Sequence, residues 1–351
     1  MHALGFAHPD PLTKQMAKQN GPRLRPVFLP FAGCPHRCVF CGQQLQTGEH
    51  IRPLETIFAD LHRDLLRETA AIRPDSPART WELAFYGGTF TALPAPWPER
   101  FLELASKYRA QGLLTRVRCS TRPDRTDPAL LARFRRAGLD MVELGIQSFD
   151  PAALAASGRG YDGETAQRGC ENVREAGLEL GIQLMPGLPG DQPGLFQEDV
   201  ERCIALRPDA VRLYPCLVIQ GTPLAQTWRA GGYAPWSLER TRQELAPALL
   251  KFWRAGIPVI RIGLHPEPEL LPAVLDGPWH PALGQMIRSL ALCEHIRSLA
   301  LPLGNGPKIL RAPRRFSGEL MGHGRELWEA WKQAGITIAY DEGEEFLLAR
   351  D

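Results

Sequence analysis

The sequence lacks several features that would place it outside the globular enzymes. Its 351 residues include no long apolar run of the length that a bilayer span needs, so we expect no membrane-spanning helix. The first 25 residues lack an apolar stretch followed by a small-residue cleavage site, and we expect no secretory signal there. Lysines are few and the net charge is only +2, so composition alone does not indicate a nucleic-acid binder.

Cysteines are too sparse for a disulfide framework, because only eight occur in a chain of this length. Five of them stand singly in apolar or helical patterns, and we expect free thiols in a reducing cytoplasm. These five are Cys119, Cys170, Cys203, Cys216 and Cys293. The other three lie together in GCPHRCVFCGQ, residues 33–43, directly after the apolar run RPVFLPFAG.

Short β-rich runs alternate with helical patterns and form six β/α units between about residues 24 and 216. One of the helices follows Asp127, a plausible N-cap residue. The alternation predicts a parallel sheet with right-handed crossovers, and it fits a partial barrel as well as a doubly wound sheet. We adopt an α/β fold with a partial (β/α)6 TIM-like barrel over residues 24–216.

The pattern changes after residue 216, where we predict a smaller α+β appendage over residues 217–351 that covers the barrel mouth. A long helix and one more strand, IPVIRIGL, precede a proline-rich irregular segment. The end of the chain reads as a strand, KILRAP, a helix, and two strands, ITIAY and EEFLLAR, joined by the turn Asp341-Glu342-Gly343.

Every unusual loop of the first half follows a strand. The cysteine segment follows the first strand; the later loops are YGGTFT, STRPD, GIQSFD, LMPGLPG and YPCLVIQGTPL. In either topology the carboxyl ends of parallel strands meet at one edge, which is where ligands bind. These loops are therefore expected to converge on a single mouth.

Three thiols at Cys34, Cys38 and Cys41 leave several kinds of site open. A structural zinc needs a fourth ligand, and His36 would make a cramped tetrahedron inside so short a loop. A redox pair would use Cys38 and Cys41 and leave Cys34 unexplained. Unrelated free thiols are a further alternative. An iron–sulfur cluster held by three thiolates would leave one iron open to a chelating ligand.

The spacing C-x3-C-x2-C, with Phe40 just before the third cysteine, resembles the signature of the radical S-adenosylmethionine (SAM) superfamily. The resemblance implies a [4Fe-4S] cluster on Cys34, Cys38 and Cys41, whose open iron is chelated by S-adenosyl-L-methionine. It also implies that the reduced cluster cleaves SAM to a 5′-deoxyadenosyl radical, which abstracts hydrogen from substrate, while the protein supplies placement and a dry cavity.

The resemblance extends to the later strand ends. YGGTFT is similar to the family's glycine motif, with Gly87 and Gly88 letting backbone carbonyls approach the ligand and Thr89 where glutamate is often found.

Polar residues at the ends of the following strands resemble those that contact the ribose and methionine parts of SAM. The guanidinium of Arg159 is implied to pair with the methionine carboxylate. The remaining implied contacts are Ser120, Glu143, Gln147 and Gln183.

Phrases such as VELGIQSFD, SGRGYDGETAQ and VRLYPCLVIQGTPLAQTWRAGGY, within about residues 24–235, resemble the radical SAM half of the Elongator catalytic subunit. The GLPG loop is shared with oxygen-independent coproporphyrinogen oxidases. The length leaves no room for the acetyltransferase domain of Elongator, and the N-terminal segment is only mildly basic. We therefore expect a stand-alone radical enzyme.

The expected function is hydrogen abstraction from an unknown substrate, either tRNA or a small molecule, with no catalytic side chain assigned. An external donor such as flavodoxin or ferredoxin would supply electrons, and no membrane is involved. One alternative is a coproporphyrinogen oxidase-like enzyme. Another is a non-catalytic iron–sulfur protein for electron transfer or sensing, against which the glycine motif, Gln147 and Arg159 argue.

Overall fold

The protein is described by a computed structural model over residues 3–16, 21–70 and 80–351. The apolar spacing of residues 56–72 predicts a helix, and its last two residues, 71 and 72, lie outside these ranges. The strands are β1 (Ala3–Phe6), β2 (Arg23–Phe28), β3 (Trp81–Tyr86), β4 (Leu114–Thr121), β5 (Met141–Gln147), β6 (Glu179–Leu184), β7 (Ala210–Leu213), β8 (Val218–Ile219), β9 (Val259–Ile262), β10 (Val274–Asp276), β11 (Lys308–Pro313), β12 (Ile336–Asp341) and β13 (Phe346–Arg350).

The helices alternate with the strands over most of the chain. They are α1 (Pro11–Met16), α2 (Gln43–Thr47), α3 (Leu54–Ala70), α4 (Trp97–Ala110), α5 (Pro128–Arg136), α6 (Pro151–Ala156), α7 (Gly163–Glu175), α8 (Leu195–Ala205), α9 (Pro223–Arg229), α10 (Leu238–Arg254), α11 (Leu270–Ala273), α12 (Leu283–Ala300), α13 (Ser317–Met321) and α14 (Trp328–Gln333). Within the described residues, no helix is both long and apolar enough to cross a bilayer.

The main sheet is parallel and curls into a half barrel with the strand order β2-β3-β4-β5-β6-β7-β9. This confirms the predicted α/β partial TIM-like fold. The sheet of the described residues has seven strands rather than the predicted six, because β9 pairs with β7 and carries the sheet past residue 216. The division into domains at residues 216 and 217 stays a prediction.

The centre of the half barrel is built from strands that are buried on both faces. All seven residues of β5 are buried, as expected for a strand covered by crossover helices. Several helices begin at polar caps. The Asp127 carboxylate accepts the N–H of Leu130 at 2.8 Å, so the predicted N-cap of α5 is confirmed. These caps and apolar faces fix where each strand ends, and thereby where each loop enters the mouth.

A second sheet has four strands in the order β1-β13-β11-β12, and three of them lie within the predicted appendage. The predicted strands are present, but β12 and β13 do not pair as the turn between them suggested; β11 lies between them, parallel to β12 and antiparallel to β13. The central position suits β11 because its alternate side chains are buried against the helices, whereas β12 is half exposed. At the other edge, β1 from the beginning of the chain pairs with β13.

Candidate active site

A cavity of about 510 Å³ lies at the mouth of the half barrel, among the loops that follow its strands. Its volume falls in the range that holds a drug-sized ligand or cofactor. Of the residues predicted from the sequence, ten line it: Cys34, Cys38, Phe40, Cys41, Gly87, Gly88, Ser120, Gln147, Arg159 and Gln183. Thr89 and Glu143 are not among its lining residues.

The cysteine loop and the glycine motif are packed into one another. Gly88 has φ +61°, and a Cβ placed on it would come within 2.2 Å of the carbonyl oxygen of Ala32. The N–H of Thr89 donates to that same oxygen at 2.7 Å. Gly33, in the cysteine loop, is equally enclosed, since its Cβ would lie 2.4 Å from the Thr89 carbonyl oxygen. Only glycine fits these close approaches between two backbones.

Gln43 joins the same two loops through its side chain, a role that the sequence analysis missed. Its Oε1 accepts the N–H of Phe31 at 2.5 Å and the N–H of Gly88 at 3.0 Å. No sequence motif indicates this residue, because its role depends on the contact between two loops that are distant in sequence. Its place two residues after Cys41 is the only local signal.

Of the three thiols, Cys38 is buried and Cys34 and Cys41 are half-buried, and their thiolate forms would repel one another. Burial, together with the neighbouring Cys38 and Cys34, raises the pKa of the Cys41 thiol to about 12. Burial also raises the pKa of Cys34, whose Sγ lies 3.3 Å from the Thr89 hydroxyl. The Arg159 guanidinium donates to the Cys38 Sγ at 3.0 Å. Three thiolates can coexist here only if a cationic centre offsets their repulsion.

The donor set fits an iron–sulfur cluster better than a single ion. Among the described residues, no group of three His, Cys, Asp or Glu side chains is placed to hold a metal ion. The three cysteines nevertheless face one cavity. Thiolates that hold a cluster bind separate iron atoms, so they need not converge as the ligands of one ion do. Thiolates are soft donors of the kind that clusters use.

Gln147 provides an independent sign that a ligand belongs in the cavity. It ends β5 in the left-handed region, with φ +69°, and only 8% of its surface is exposed. Its Oε1 is buried and has no hydrogen-bond partner among the described residues. A buried acceptor without a partner costs about 1–3 kcal/mol, and a ligand with donor groups would remove that cost.

Arg159 is held in place by a polar cluster behind the cysteine loop. Its Nη2 donates to the Gly145 carbonyl oxygen at 2.5 Å and its Nε to the Tyr161 hydroxyl at 2.8 Å. Arg122, itself paired with Asp124, donates to the Arg159 carbonyl oxygen at 2.6 Å. The guanidinium thus lines the cavity beside the Cys38 thiol, and its pairing with a methionine carboxylate stays a prediction.

Glu143 belongs to an ion-pair network inside the barrel. It is 1% exposed and lies 2.5 Å from Arg212 Nε and 3.3 Å from Arg118 Nη1. Burial acts to raise its pKa, but the two arginines outweigh burial and hold the pKa below its usual value. Gln183, which lines the cavity, donates weakly to Ser120 Oγ at 3.3 Å and to Glu143 Oε2 at 3.4 Å. A contact between Glu143 and SAM remains a prediction, and such a contact would compete with these pairs.

A parallel half barrel with three cysteines in its first loop, facing a cavity at the strand ends, is the arrangement of an enzyme of the radical SAM class. The chain belongs to the radical SAM superfamily. The profile described as "Radical SAM superfamily" matches residues 28–203, and that of the "Radical_SAM C-terminal domain" matches residues 208–291.

Similar proteins include tRNA-modifying and porphyrin enzymes. A tRNA uridine(34) acetyltransferase of Methanocaldococcus jannaschii is 27% identical over 72% of this chain and 52% of its own length. Elongator complex protein 3 of Danio rerio is 31% identical over 44% of this chain and 32% of its own. An oxygen-independent coproporphyrinogen III oxidase of Paracoccus denitrificans is 29% identical over 54% of this chain and 41% of its own.

The chain spans about half the length of the tRNA uridine(34) acetyltransferases that it matches. Among solved structures, the archaeal Elp3 of Methanocaldococcus infernus superposes with a TM-score of 0.56 at 19% identity, over 80% of this chain and 64% of that one. This likeness shows the fold.

Proposed function

We propose that this enzyme holds a [4Fe-4S] cluster on Cys34, Cys38 and Cys41, binds SAM beside it, and abstracts hydrogen from an RNA-related substrate. The observation that carries the proposal is the convergence of the three thiols with the unpartnered Oε1 of Gln147 on one cavity. The chemistry supplied by the cluster and SAM together is reductive cleavage of SAM to a 5′-deoxyadenosyl radical. An external flavodoxin or ferredoxin would supply the electron.

The chain's own residues bind and orient these groups. The interlocked Gly33 and Gly88 fix the position of the cysteine loop against the glycine motif. The positively charged guanidinium of Arg159 donates to the Cys38 sulfur and thereby stabilises its thiolate form. Gln147 offers an acceptor to a ligand donor, and the apolar packing of Phe40 excludes water behind the loop.

An RNA-related substrate is favoured by the relatives. Several of them are named as tRNA uridine(34) acetyltransferases or Elongator complex protein 3, and they match the radical SAM part of this chain. Because the chain spans only about half of the tRNA uridine(34) acetyltransferases, the acetyl-transfer activity in their name is not part of the proposal.

The test is anaerobic reconstitution with iron and sulfide, reduction with dithionite, and addition of SAM. We expect a visible absorption that corresponds to about one cluster per chain. We also expect formation of 5′-deoxyadenosine, which unfractionated tRNA should enhance. Cys38→Ala should lose both the iron and the cleavage. Cys203→Ala is the matched control, because this thiol is buried in the barrel core away from the mouth and should leave both intact.

Two results would contradict the proposal. If Cys38→Ala keeps its iron and visible absorption, the ligand assignment is wrong. If the loaded protein does not cleave SAM, the protein is an electron-transfer or sensor protein rather than an enzyme of this chemistry.

A second candidate function is oxidation of a carboxylated porphyrinogen. Two of the five arginines that line the cavity, Arg37 and Arg261, have no carboxylate partner within the described residues, and their guanidinium groups suit substrate carboxylates. Replacing tRNA by coproporphyrinogen III in the same assay separates the two, since only the true substrate should enhance 5′-deoxyadenosine formation and be changed itself.

A further inference from the structure

The cavity has a strongly positive lining. Five arginines and a single carboxylate, Glu267, are among its lining residues. Glu267 lies 3.1 Å from the imidazole of His265 at the rim. The arginines are Arg37, Arg122, Arg159, Arg212 and Arg261.

Three of these arginines are already engaged inside the protein. Arg122 pairs with Asp124, Arg212 pairs with Glu143, and Arg159 donates to the Cys38 sulfur. The other two, Arg37 and Arg261, have no carboxylate partner within the described residues. A cation that lines a cavity without a counter-charge favours an anionic ligand.

Arg261 occupies a particular place, because this residue is among the lining of two cavities. It lies on β9, the edge strand of the half barrel, and its Nε donates to the Gly263 carbonyl oxygen at 2.8 Å. Its Nη1 and Nη2 have no acceptor in the described part of the chain. Besides the main cavity, it lines a groove of about 480 Å³ between β9 and the helices α12 and α13.

The charges of this groove are partly neutralised, and the remainder is positive. Arg288 pairs with Asp10, and the Glu319 carboxylate lies 3.3 Å from His8 Nε2. Arg315, at the far side, donates to the backbone carbonyl oxygens of Gly343 and Glu344, which leaves its charge without a described ion pair. Arg261 and Arg315 are therefore the cations of the groove that form no ion pair within the described residues, and Glu319 is the one carboxylate among its lining residues.

The other edge strand of the half barrel contributes apolar rather than charged residues to the cavity. Leu24, Pro26 and Phe28 of β2, the other edge strand, also line the main cavity, and Leu24 is 42% exposed. Next to them, the Arg37 guanidinium stacks at 4.2 Å on the ring of Phe31. An opening with an apolar, aromatic side and a cationic side suits a nucleotide, whose base and phosphate have these two characters.

We propose that Arg261 binds a backbone phosphate of an RNA substrate whose reacting nucleotide enters the main cavity, and that the RNA continues past Arg261 into the groove towards Arg315. The inference deepens the RNA part of the proposed function and rests on it. It adds a phosphate subsite at the open edge of the half barrel, on residues that lie outside the cysteine loop and the glycine motif.

The experiment measures binding of fluorescein-labelled tRNA by anisotropy, with the reconstituted holoprotein and SAM, between about 50 and 200 mM salt. Each lost phosphate contact should lower the slope of log affinity against log salt by about 0.7 to 0.9. We expect the slope for Arg261→Gln to be lower by the amount of one phosphate contact, and its affinity for tRNA to be roughly eightfold weaker at about 50 mM salt. Arg261→Gln combined with Arg315→Gln should lower the slope by the amount of two contacts.

Two variants serve as controls. Arg261→Lys keeps the charge and should keep most of the slope. Arg314→Gln removes a neighbouring arginine that pairs with Glu342 outside the groove, and it should bind as the unaltered protein does.

The outcomes separate the two proposals. If the unaltered protein binds tRNA and Arg261→Gln shows the same slope, the phosphate subsite is overturned while the RNA substrate stands. If the unaltered protein does not bind tRNA, the RNA substrate fails and the subsite fails with it. If Arg261→Gln has a lower melting temperature than the unaltered protein, the salt dependence of tRNA binding by Arg315→Gln decides instead. This exposed side chain can be removed without disturbing the core.

Discussion

A single backbone conformation at Gln147 connects the fold to the chemistry of the mouth. Its positive φ turns the end of β5 so that the side chain reaches the cavity, with its oxygen unpartnered among the described residues. A left-handed conformation costs a residue with a Cβ about 1–2 kcal/mol relative to glycine. Such strain, combined with an unpartnered polar atom, is typical of positions kept for ligand binding.

We predict that substitution of Gln147 affects protein stability and SAM affinity differently. Gln147→Gly relieves the strain and removes the amide, so the melting temperature should stay level or rise while SAM binds up to about tenfold more weakly. Calorimetric titration of the reconstituted protein with SAM measures the affinity.

Arg207 is the matched control, because it also has a positive φ, +48°, but is not a lining residue of the cavity. Arg207→Gly should leave SAM affinity unchanged. Unaltered affinity in Gln147→Gly would show that the amide does not contact SAM.

Individual site residues were predictable only where a motif carried them. The cysteines were predicted from the C-x3-C-x2-C spacing, and Gly87, Gly88 and Gln147 from the resemblance of the strand-end loops to the family's motifs. Gln43 and Arg261 could not be found in this way, because their roles depend on which distant loops and edges the fold brings together.

At the scale of the elements, the loops after β2 and β3 act as one unit. Gly33, Gly88 and Gln43 hold them at backbone contact distance. Adding one methyl group at Gly88 would force that group against the Ala32 carbonyl oxygen and separate the loops.

We therefore predict that Gly88→Ala folds but retains little iron after reconstitution, because the cysteine loop is displaced. Iron analysis and the visible spectrum measure this effect. Gly112→Ala, at the end of α4, imposes the same left-handed strain at φ +76° with no atom within 4 Å of the new Cβ. It should lose about 1 kcal/mol of stability and keep a full complement of iron. Equal iron in both variants would refute the interlocking.

The order of strands and helices could be predicted because their hydrophobic periodicities are clear and several helices begin at a polar cap. Which strands become neighbours was less predictable. The turn at Asp341-Glu342-Gly343 suggested direct pairing of β12 and β13, but β11 lies between them. A local turn signal says nothing about which strand has the apolar faces to occupy the centre of a sheet.

At the scale of the whole molecule, one buried carboxylate ties stability to pH. Asp199 is 3% exposed and accepts the N–H of Phe149, just after β5, at 2.7 Å. Burial raises its pKa to about 6, against an ordinary value near 3.8. The folded protein therefore holds this proton more tightly than the unfolded chain, and the resulting stabilisation is complete below about pH 4 and is lost as the pH rises through about 6.

Asp199→Asn should remove this dependence while keeping an oxygen to accept the Phe149 N–H. We expect the variant to be more stable than the unaltered protein above pH 7, by up to about 3 kcal/mol, with the difference shrinking towards pH 4. Thermal melts across this pH range measure it. A difference that stays constant with pH would exclude Asp199 as its source.

The pairing of β1 with β13 joins residues 3–6 to residues 346–350 in one small sheet. On the ribosome, the first of these strands emerges long before its neighbour has been synthesised. The half barrel, whose parallel strands follow one another along the chain, can assemble meanwhile, but the small sheet must wait for residues 346–350. A nascent chain therefore carries β1 without its neighbour until β13 has been synthesised.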